Sequence, residues 1–446
     1  IKNNLIDKIH KTSSNYIKPF YSLKEKIAGE SHLKKITRVS NILEKEKVDY
    51  LFISASENVA WLLNIRGHDN PNSPIPNCRL LLTKKRKIFI ICENQKLNKL
   101  VKEKKIKNNQ IIEPHKLKNF FNKIKIGKFI IDSKTCSIFY RNFIIAKHKI
   151  VKKNDPIYLL KSIKNESEIN NIINTHIDDG IALTKFLYWI KVSNKREITE
   201  VDAQNKLEKY RKKNKKYLFP SFNTIAGSGA NGAIIHYRAT KKNTRKISKK
   251  ELFLCDSGGQ YQYGTTDVTR TVCFSKPPNY IKDIFTKVLK GHIAVVTSNL
   301  KTHYNGKLID KRARAYLKKS GLDYDHGTGH GVGFFSNVHE GPQAISKFNT
   351  IKLQQGMILS NEPGYYKKGK FGIRIENLLY VDSNNKKLSF VNLTLAPIDV
   401  DLINFDLLTG NERNYLFNYH LNIYLNLSKY LNKKEKKWLA GFIKHF

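Results

Sequence analysis

No apolar run in this chain approaches the roughly 18–20 residues that a membrane-spanning helix needs. The best stretch, residues 182–190, is interrupted by Thr184 and Lys185, so no span is expected. Residues 1–10 lack the apolar core of a secretory signal. Methionine is nearly absent: Met357 is the only one and the chain opens on Ile1. It therefore reads as a fragment, or as a chain whose start is processed or misassigned. Cysteine is scarce as well. Cys78, Cys92, Cys136, Cys255 and Cys273 are scattered, without a Cys-x-x-Cys pair, which removes a zinc knuckle and a redox dithiol from consideration. Reduced thiols of a cytoplasmic enzyme are the simplest reading. No internal repeat of about 20–50 residues is evident, so a solenoid is not expected.

Acidic residues are few, 37 against 81 Lys and Arg, for a net charge of +44. Such a charge suggests nucleic acid. Its distribution argues otherwise. Lysine is spread along the whole chain, in residues 84–87, 211–216, 241–250 and 433–437, mixed with abundant Asn and Ile. That pattern matches a coding bias better than one binding face, and no nucleic-acid motif accompanies it. Residues 252–274 escape the bias with two Asp and one Arg. Neither a nucleic-acid nor a membrane partner is expected.

A chain of 446 residues exceeds one ordinary core, so at least two domains are expected. The first third reads as α/β. Residues 34–47 have helical spacing at Ile36, Val39, Ile42 and Leu43, followed by a strand over 49–54. Residues 56–63 look helical, 79–83 and 87–92 form a hairpin, and 129–132 and 156–160 are further strands. A long amphipathic helix starts near Asn165, which can form a capping box with Glu168. Ile169, Ile172, Ile173, Ile177, Ile181 and Phe186 keep roughly one face. Gly-rich turns and aromatic strands then dominate residues 219–380, with helices over 281–300 and 307–319. Residues 404–446 read as short packing helices.

Chemistry concentrates in that Gly-rich region. Leu252-Phe-Leu-Cys-Asp256 and Tyr263-Gly-Thr-Thr-Asp267 flank a turn, so a hairpin can bring the two Asp together. Close carboxylates repel unless a cation lies between them; the plainer alternative is that each Asp merely bounds a turn. His326-Gly-Thr-Gly-His330-Gly-Val-Gly333 is too glycine-rich for a helix and too polar for a core strand. Glu362 ends an apolar strand before a Pro-Gly turn. In Gly372-Ile-Arg-Ile-Glu376 the period of two puts Arg374 and Glu376 on one face, which taken alone suggests a solvated face. Taken together, four carboxylates and an imidazole suit two divalent cations, and oxygen-rich ligation favours Mn²⁺ or Co²⁺ over a thiolate zinc site.

The ordered set Asp256, Asp267, His330, Glu362 and Glu376 resembles the metal-ligand signature of the pita-bread metallopeptidases. The likeness is greatest to the long cytosolic form of aminopeptidase P, the Xaa-Pro aminopeptidases. It is carried by Asn231-Gly-Ala-Ile-Ile-His236-Tyr, Gly264-Thr-Thr-Asp-Val-Thr-Arg-Thr, Val338-His339-Glu-Gly-Pro342 and Glu362-Pro-Gly-Tyr-Tyr366. It runs from Trp61-Leu-Leu-Asn-Ile-Arg-Gly67 to the tail motif Asn418-Tyr-His-Leu421.

The resemblance implies an α/β and α+β fold: a creatinase-like N-terminal domain (residues 1–160), a pita-bread catalytic domain (161–400) and a helical tail (401–446). It implies hydrolysis of peptides with proline in second position, by attack of a hydroxide shared between two metals, Mn²⁺ first, with Co²⁺ or Zn²⁺ as alternatives. The metal ligands would be Asp256, Asp267, His330, Glu362 and Glu376. Glu362 would also be the general base and proton shuttle. His236, His326 and His339 would line the site and stabilise the tetrahedral intermediate. Arg374 would keep Asp256 or its neighbours ionised, and Tyr366 would donate a hydrogen bond from behind. A cytoplasmic enzyme follows, and a homodimer is compatible. One departure stands out: long-form relatives carry two domains ahead of the catalytic one, and here only the second has a counterpart. Two other readings remain, a prolidase acting on Xaa-Pro dipeptides and a metal-free peptide-binding module.

Overall fold

The computed structural model describes residues 18–193 and 198–446. Residues 1–10, read above as lacking a signal, lie outside them. Contacts divide the chain into two compact units, Ile1–Ile157 and Tyr158–Phe446.

The first unit is built on a six-stranded mixed sheet. Its order is Ile111–Ile112, Ile88–Ile91, Arg79–Thr83, Tyr50–Ile53, Lys128–Ile131 and Lys149–Lys152. Tyr50–Ile53 is central and buried along its whole length, as its unbroken apolar run requires. The expected hairpin is present, with Arg79 opposite Ile91 and Leu82 opposite Ile88. The expected helices are found at His32–Lys45 and Ser56–Leu63. One expectation fails. The segment read as a strand at 156–160 is helical, Ile157–Ser162. Asp155 accepts a hydrogen bond from the Ile157 amide at 2.9 Å, and Pro156 supplies a helix-compatible φ. This local start signal outweighs the apolar run that suggested a strand.

In the second unit the short helix Ile157–Ser162 is followed by the helix Glu166–Val192, whose capping box pairs Asn165 with Glu168. Its buried face, Leu183, Phe186, Leu187 and Ile190, packs on Phe253, Cys255, Val268 and Val272. Those four come from the antiparallel strands Phe253–Ser257 and Val268–Val272, which pair Asp256 with Thr269. Alternation along the strands then settles the opposite face. With Phe253 and Cys255 turned to the helix, Leu254 and Asp256 point away from it. By the same count Asp267, Thr269 and Thr271 turn away from it too.

A five-stranded antiparallel sheet supplies the rest, in the order Glu340–Ile345, Gly329–Gly331, Ile358–Asn361, Asn377–Asn384 and Lys387–Asn392. Met357, Leu359, Leu379 and Val381 bury one face against Val295, Val296, Ile309 and Ala313. These belong to the helices Asn279–Val296 and Gly306–Lys318. Ser360 and Glu362 accordingly face the other way. The tail forms two capped helices, Gly410–Leu427 and Lys433–Ile443. It joins the core through Tyr419, whose hydroxyl meets the Arg270 guanidinium at 2.9 Å.

Candidate active site

Asp256, Asp267, His330, Glu362 and Glu376 converge on one cavity of about 270 Å³, which His236, His339 and Arg374 also line. Donor atoms of Asp267, His330 and Glu376 all lie within 4.8 Å of one another. His330 Nε2 is 3.4 Å from Asp267 Oδ2 and 3.6 Å from Glu362 Oε1. Its Nδ1 lies 2.9 Å from the Gly331 carbonyl, a contact that requires the proton on Nδ1. In the neutral ring Nε2 then offers its lone pair to the carboxylates' side of the cavity.

Glycine lets this happen at two positions. A Cβ on Gly329 would stand 1.9 Å from the Ser360 carbonyl, and one on Gly331 would stand 2.2 Å from the Glu340 carbonyl. The His330 strand is thus squeezed between its neighbours more closely than any side chain allows.

The remaining carboxylates are held from behind. Arg374 donates to Asp256 Oδ2 at 2.6 Å, to Thr269 Oγ1 at 3.0 Å and to the Tyr366 hydroxyl at 2.7 Å. The Thr269 hydroxyl in turn donates a hydrogen bond to Glu376 Oε2 at 2.8 Å. Both Arg374 and Glu376 are 2% exposed, so the solvated-face reading of this segment does not hold. Tyr366 in turn lies 2.8 Å from His326 Nε2. His326 Nδ1 is 2.7 Å from the Gly327 carbonyl and must carry the proton, so Tyr366 is the donor to Nε2. His326 and Tyr366 are not among the residues lining the cavity. They stand behind Arg374, which refines the expectation that His326 lines the site. His339 does line it, its ring 4.1 Å from that of His330 and nearly perpendicular to it.

Electrostatics follows from crowding acids in a buried space. Burial first, then repulsion from Asp256 and Glu362, holds Asp267 well above the usual carboxyl range. Glu376 is raised likewise by burial and by Asp267, Glu362 and Asp256. Asp256 is raised by burial, with Arg374 opposing. Burial, with help from His330, lowers His339 to about 4, so its ring is neutral at pH 7. Asp256 Oδ1 is buried without a hydrogen-bond partner. Buried acids that repel one another, an orphaned carboxylate oxygen and a histidine with a free Nε2 form a donor set that fits divalent cations.

The residues that support the site carry weaker sequence signals. Thr269 is legible, since it lies two residues from Asp267 on the same strand face. Arg314 is not. From the helix Gly306–Lys318 it holds the carbonyls of Tyr324 and His326, each at 2.6 Å, while its partner Asp310 accepts from Thr328 at 2.7 Å. Asp179 likewise fastens the turn between the two Asp strands, accepting from Arg211, Tyr261 and Thr266 at 2.8–2.9 Å. A second acidic cluster, Cys273, Asp399 and Asp401, already surrounds Lys191, which bonds both carboxylates.

Comparison with known proteins agrees with this architecture. Residues 172–383 match metallopeptidase family M24, residues 13–168 the creatinase/prolidase N-terminal domain, and residues 386–445 the C-terminal region of the same peptidase family. Xaa-Pro aminopeptidase 1 of Dictyostelium discoideum is 38% identical over 99% of this chain and 74% of its own. Xaa-Pro aminopeptidase ApepP of Drosophila melanogaster is 35% identical, covering 100% and 75%. The crystal structure of X-prolyl aminopeptidase from Caenorhabditis elegans, a cytosolic enzyme with a di-nuclear active site, superposes with a TM-score of 0.89. It is 30% identical and covers 99% of this chain and 75% of that one. The chain belongs to metallopeptidase family M24, with a creatinase/prolidase-type N-terminal domain ahead of the peptidase domain.

Proposed function

We propose that this chain removes the N-terminal residue from peptides whose second residue is proline, with two divalent cations held by Asp256, Asp267, His330, Glu362 and Glu376. The observation that carries the reading is the meeting of these five side chains in one cavity of about 270 Å³. Family membership and the full-length likeness to Xaa-Pro aminopeptidases make the chain a metallo-aminopeptidase. The oxygen-rich donor set favours Mn²⁺, ahead of Co²⁺ or Zn²⁺. Bound there, the cations supply Lewis acidity, which lowers the pKa of water and polarises a carbonyl oxygen.

The chain's own residues do the rest. Glu362, whose carboxylate is held by the Ser360 hydroxyl at 3.1 Å, takes a proton from the attacking water and hands it to the leaving proline nitrogen. His236 and His339, on the cavity wall, donate hydrogen bonds to the substrate carbonyl as charge develops on its oxygen. Arg374 fixes one oxygen of Asp256 and leaves the other free. Tyr366 and His326 fix Arg374 in turn. A cytoplasmic location belongs to the same proposal, supported by five free cysteines and by the cytosolic relative from Caenorhabditis elegans. No nucleic acid or membrane enters it, and a homodimer is compatible with it.

A peptide panel tests the reading. Xaa-Pro-Yaa peptides should be cut between the first residue and proline, and far more slowly when Ala replaces that proline. Chelation should abolish cleavage and Mn²⁺ should restore it. Robust cleavage of Xaa-Pro dipeptides with Xaa-Pro-Yaa left intact would make the enzyme a prolidase instead.

A further inference from the structure

The cavity has a second cation besides Arg374, and it belongs to the segment between Ser228 and Arg245. Ile235, His236, Tyr237 and Arg238 from this segment line one wall. The Arg238 side chain is exposed and makes no ion pair among the described residues, whereas Arg374 is committed to Asp256. An exposed arginine discriminates between ligands only if its backbone is held, because a loose chain lets the charge follow any partner.

Here it is held. Glu200, 0% exposed at the start of the helix Glu200–Arg211, gathers the segment from both ends. Its carboxylate accepts from the Ser228 amide at 2.8 Å, the Asn231 side chain at 3.0 and 3.1 Å, and the Arg245 amide at 2.9 Å. The Tyr237 hydroxyl lies 2.8 Å from the same carboxylate, next to His236 and Arg238 in sequence. Asn243 then donates to the Arg238 carbonyl at 3.1 Å. His236 and Arg238 therefore ride on one clamped arm.

We infer that Arg238 is a specificity-determining residue that selects peptides carrying a carboxylate at the open side of the cavity. The inference rests on the peptidase reading of the same site. A planar guanidinium takes a carboxylate through two parallel hydrogen bonds. The carboxylate has two sources, the free C-terminus of a short peptide or an acidic side chain just after proline. The neighbouring Lys241 and Lys242, both exposed, add attraction of the same sign.

Two substrate pairs separate the sources: Ala-Pro-Ala as free acid against its C-terminal amide, and Ala-Pro-Glu amide against Ala-Pro-Gln amide. The wild-type enzyme should prefer the carboxylate-bearing member of at least one pair by about tenfold in kcat/KM, as a charge-assisted pair at a half-open site gives. The preference should lie mainly in KM and shrink with added salt. In Arg238→Gln the ratio should fall to near one, and in Arg238→Glu it should invert. A preference confined to the first pair identifies the terminus, and one confined to the second identifies the side chain. Ratios of one in the wild type, or ratios that Arg238→Gln leaves unchanged, overturn the inference alone. A wild-type enzyme that cuts none of the four peptides overturns the peptidase reading beneath it.

Discussion

Loading the metal-free protein should release protons, and their number measures how far the acids repel one another. Asp267 and Glu376 are held well above the ordinary carboxyl range, and Asp256 is raised as well, by burial first and mutual repulsion next. A carboxyl raised in this way keeps its proton at a pH where it would be ionised in water. Cations bind only the ionised groups, so they must displace those protons. With two groups raised well above their usual range and a third raised, metal binding should release protons into the buffer. Each proton displaced makes the apparent affinity rise about tenfold per pH unit until the folded pKa is passed.

The same shifts enter the stability of the metal-free fold. A raised carboxyl contributes stability that is fully present below its unfolded pKa and is lost as pH rises through its folded pKa. Buried histidines held below their ordinary value oppose this in the fold as a whole, so the outcome to measure is a difference: Mn²⁺ should raise the melting temperature more at pH 8 than at pH 5.5. Calorimetric titration with Mn²⁺ at pH 6.5, in two buffers of different ionisation enthalpy, counts the protons directly. Heats that do not depend on the buffer would refute the reasoning, because the acids would then already be ionised without a cation between them.

Four substitutions probe the parts separately. Glu362→Gln should lower kcat by about 10²–10⁴-fold, the range for loss of a positioned proton carrier, whereas His339→Ala should lower activity with metal content near normal. If His339→Ala loses metal as readily as His330→Ala by elemental analysis, the wall residue has been misassigned. Arg374→Met leaves Asp256 buried without its charge partner and should cost about 3–5 kcal/mol in the chelated protein, as other broken buried pairs do. Chemical denaturation should show a smaller loss once cations are bound. Gly329→Ala forces a methyl to within 1.9 Å of the Ser360 carbonyl, so it should weaken both metal retention and thermal stability. An unchanged melting temperature would mean that the strands part without cost.

What the sequence made legible depended on how far each cause reached along the chain. The helix from Asn165 and the hairpin around residues 84–87 follow from neighbours a few residues apart, and both were readable. So was the meeting of Asp256 with Asp267, since few residues separate them in sequence and the strands on either side pair directly. Arg374 and Glu376 were harder. Alternation showed that they share a face but not which face is covered, because Asp256, the partner of Arg374, lies 118 residues away. Arg314 and Glu200 were harder still. Each sits in a helix whose charged residues look like an ordinary solvated face, and only folding shows that they turn inward, Arg314 to the carbonyls of Tyr324 and His326, Glu200 to the amides of Ser228 and Arg245.

Charge gives the sharpest case of local structure overriding composition. The chain carries a net +44, yet its cavity gathers four carboxylates. The surplus lysines do not neutralise that cluster, because exposed charges beyond about 8–10 Å are screened by salt. Among the described residues only Arg374 forms an ion pair with it through a permanent cation. Arg270, although fully buried nearby, spends its donors on the carbonyl of Glu376 and on Asn377, Ala396, Pro397 and Tyr419 rather than on a carboxylate. Four negative charges and one positive leave a buried deficit of three. Protons can fill it at low pH, which is what the raised acids express. At neutral pH two divalent cations would fill it with one positive charge over, which the hydroxide that attacks the substrate would balance.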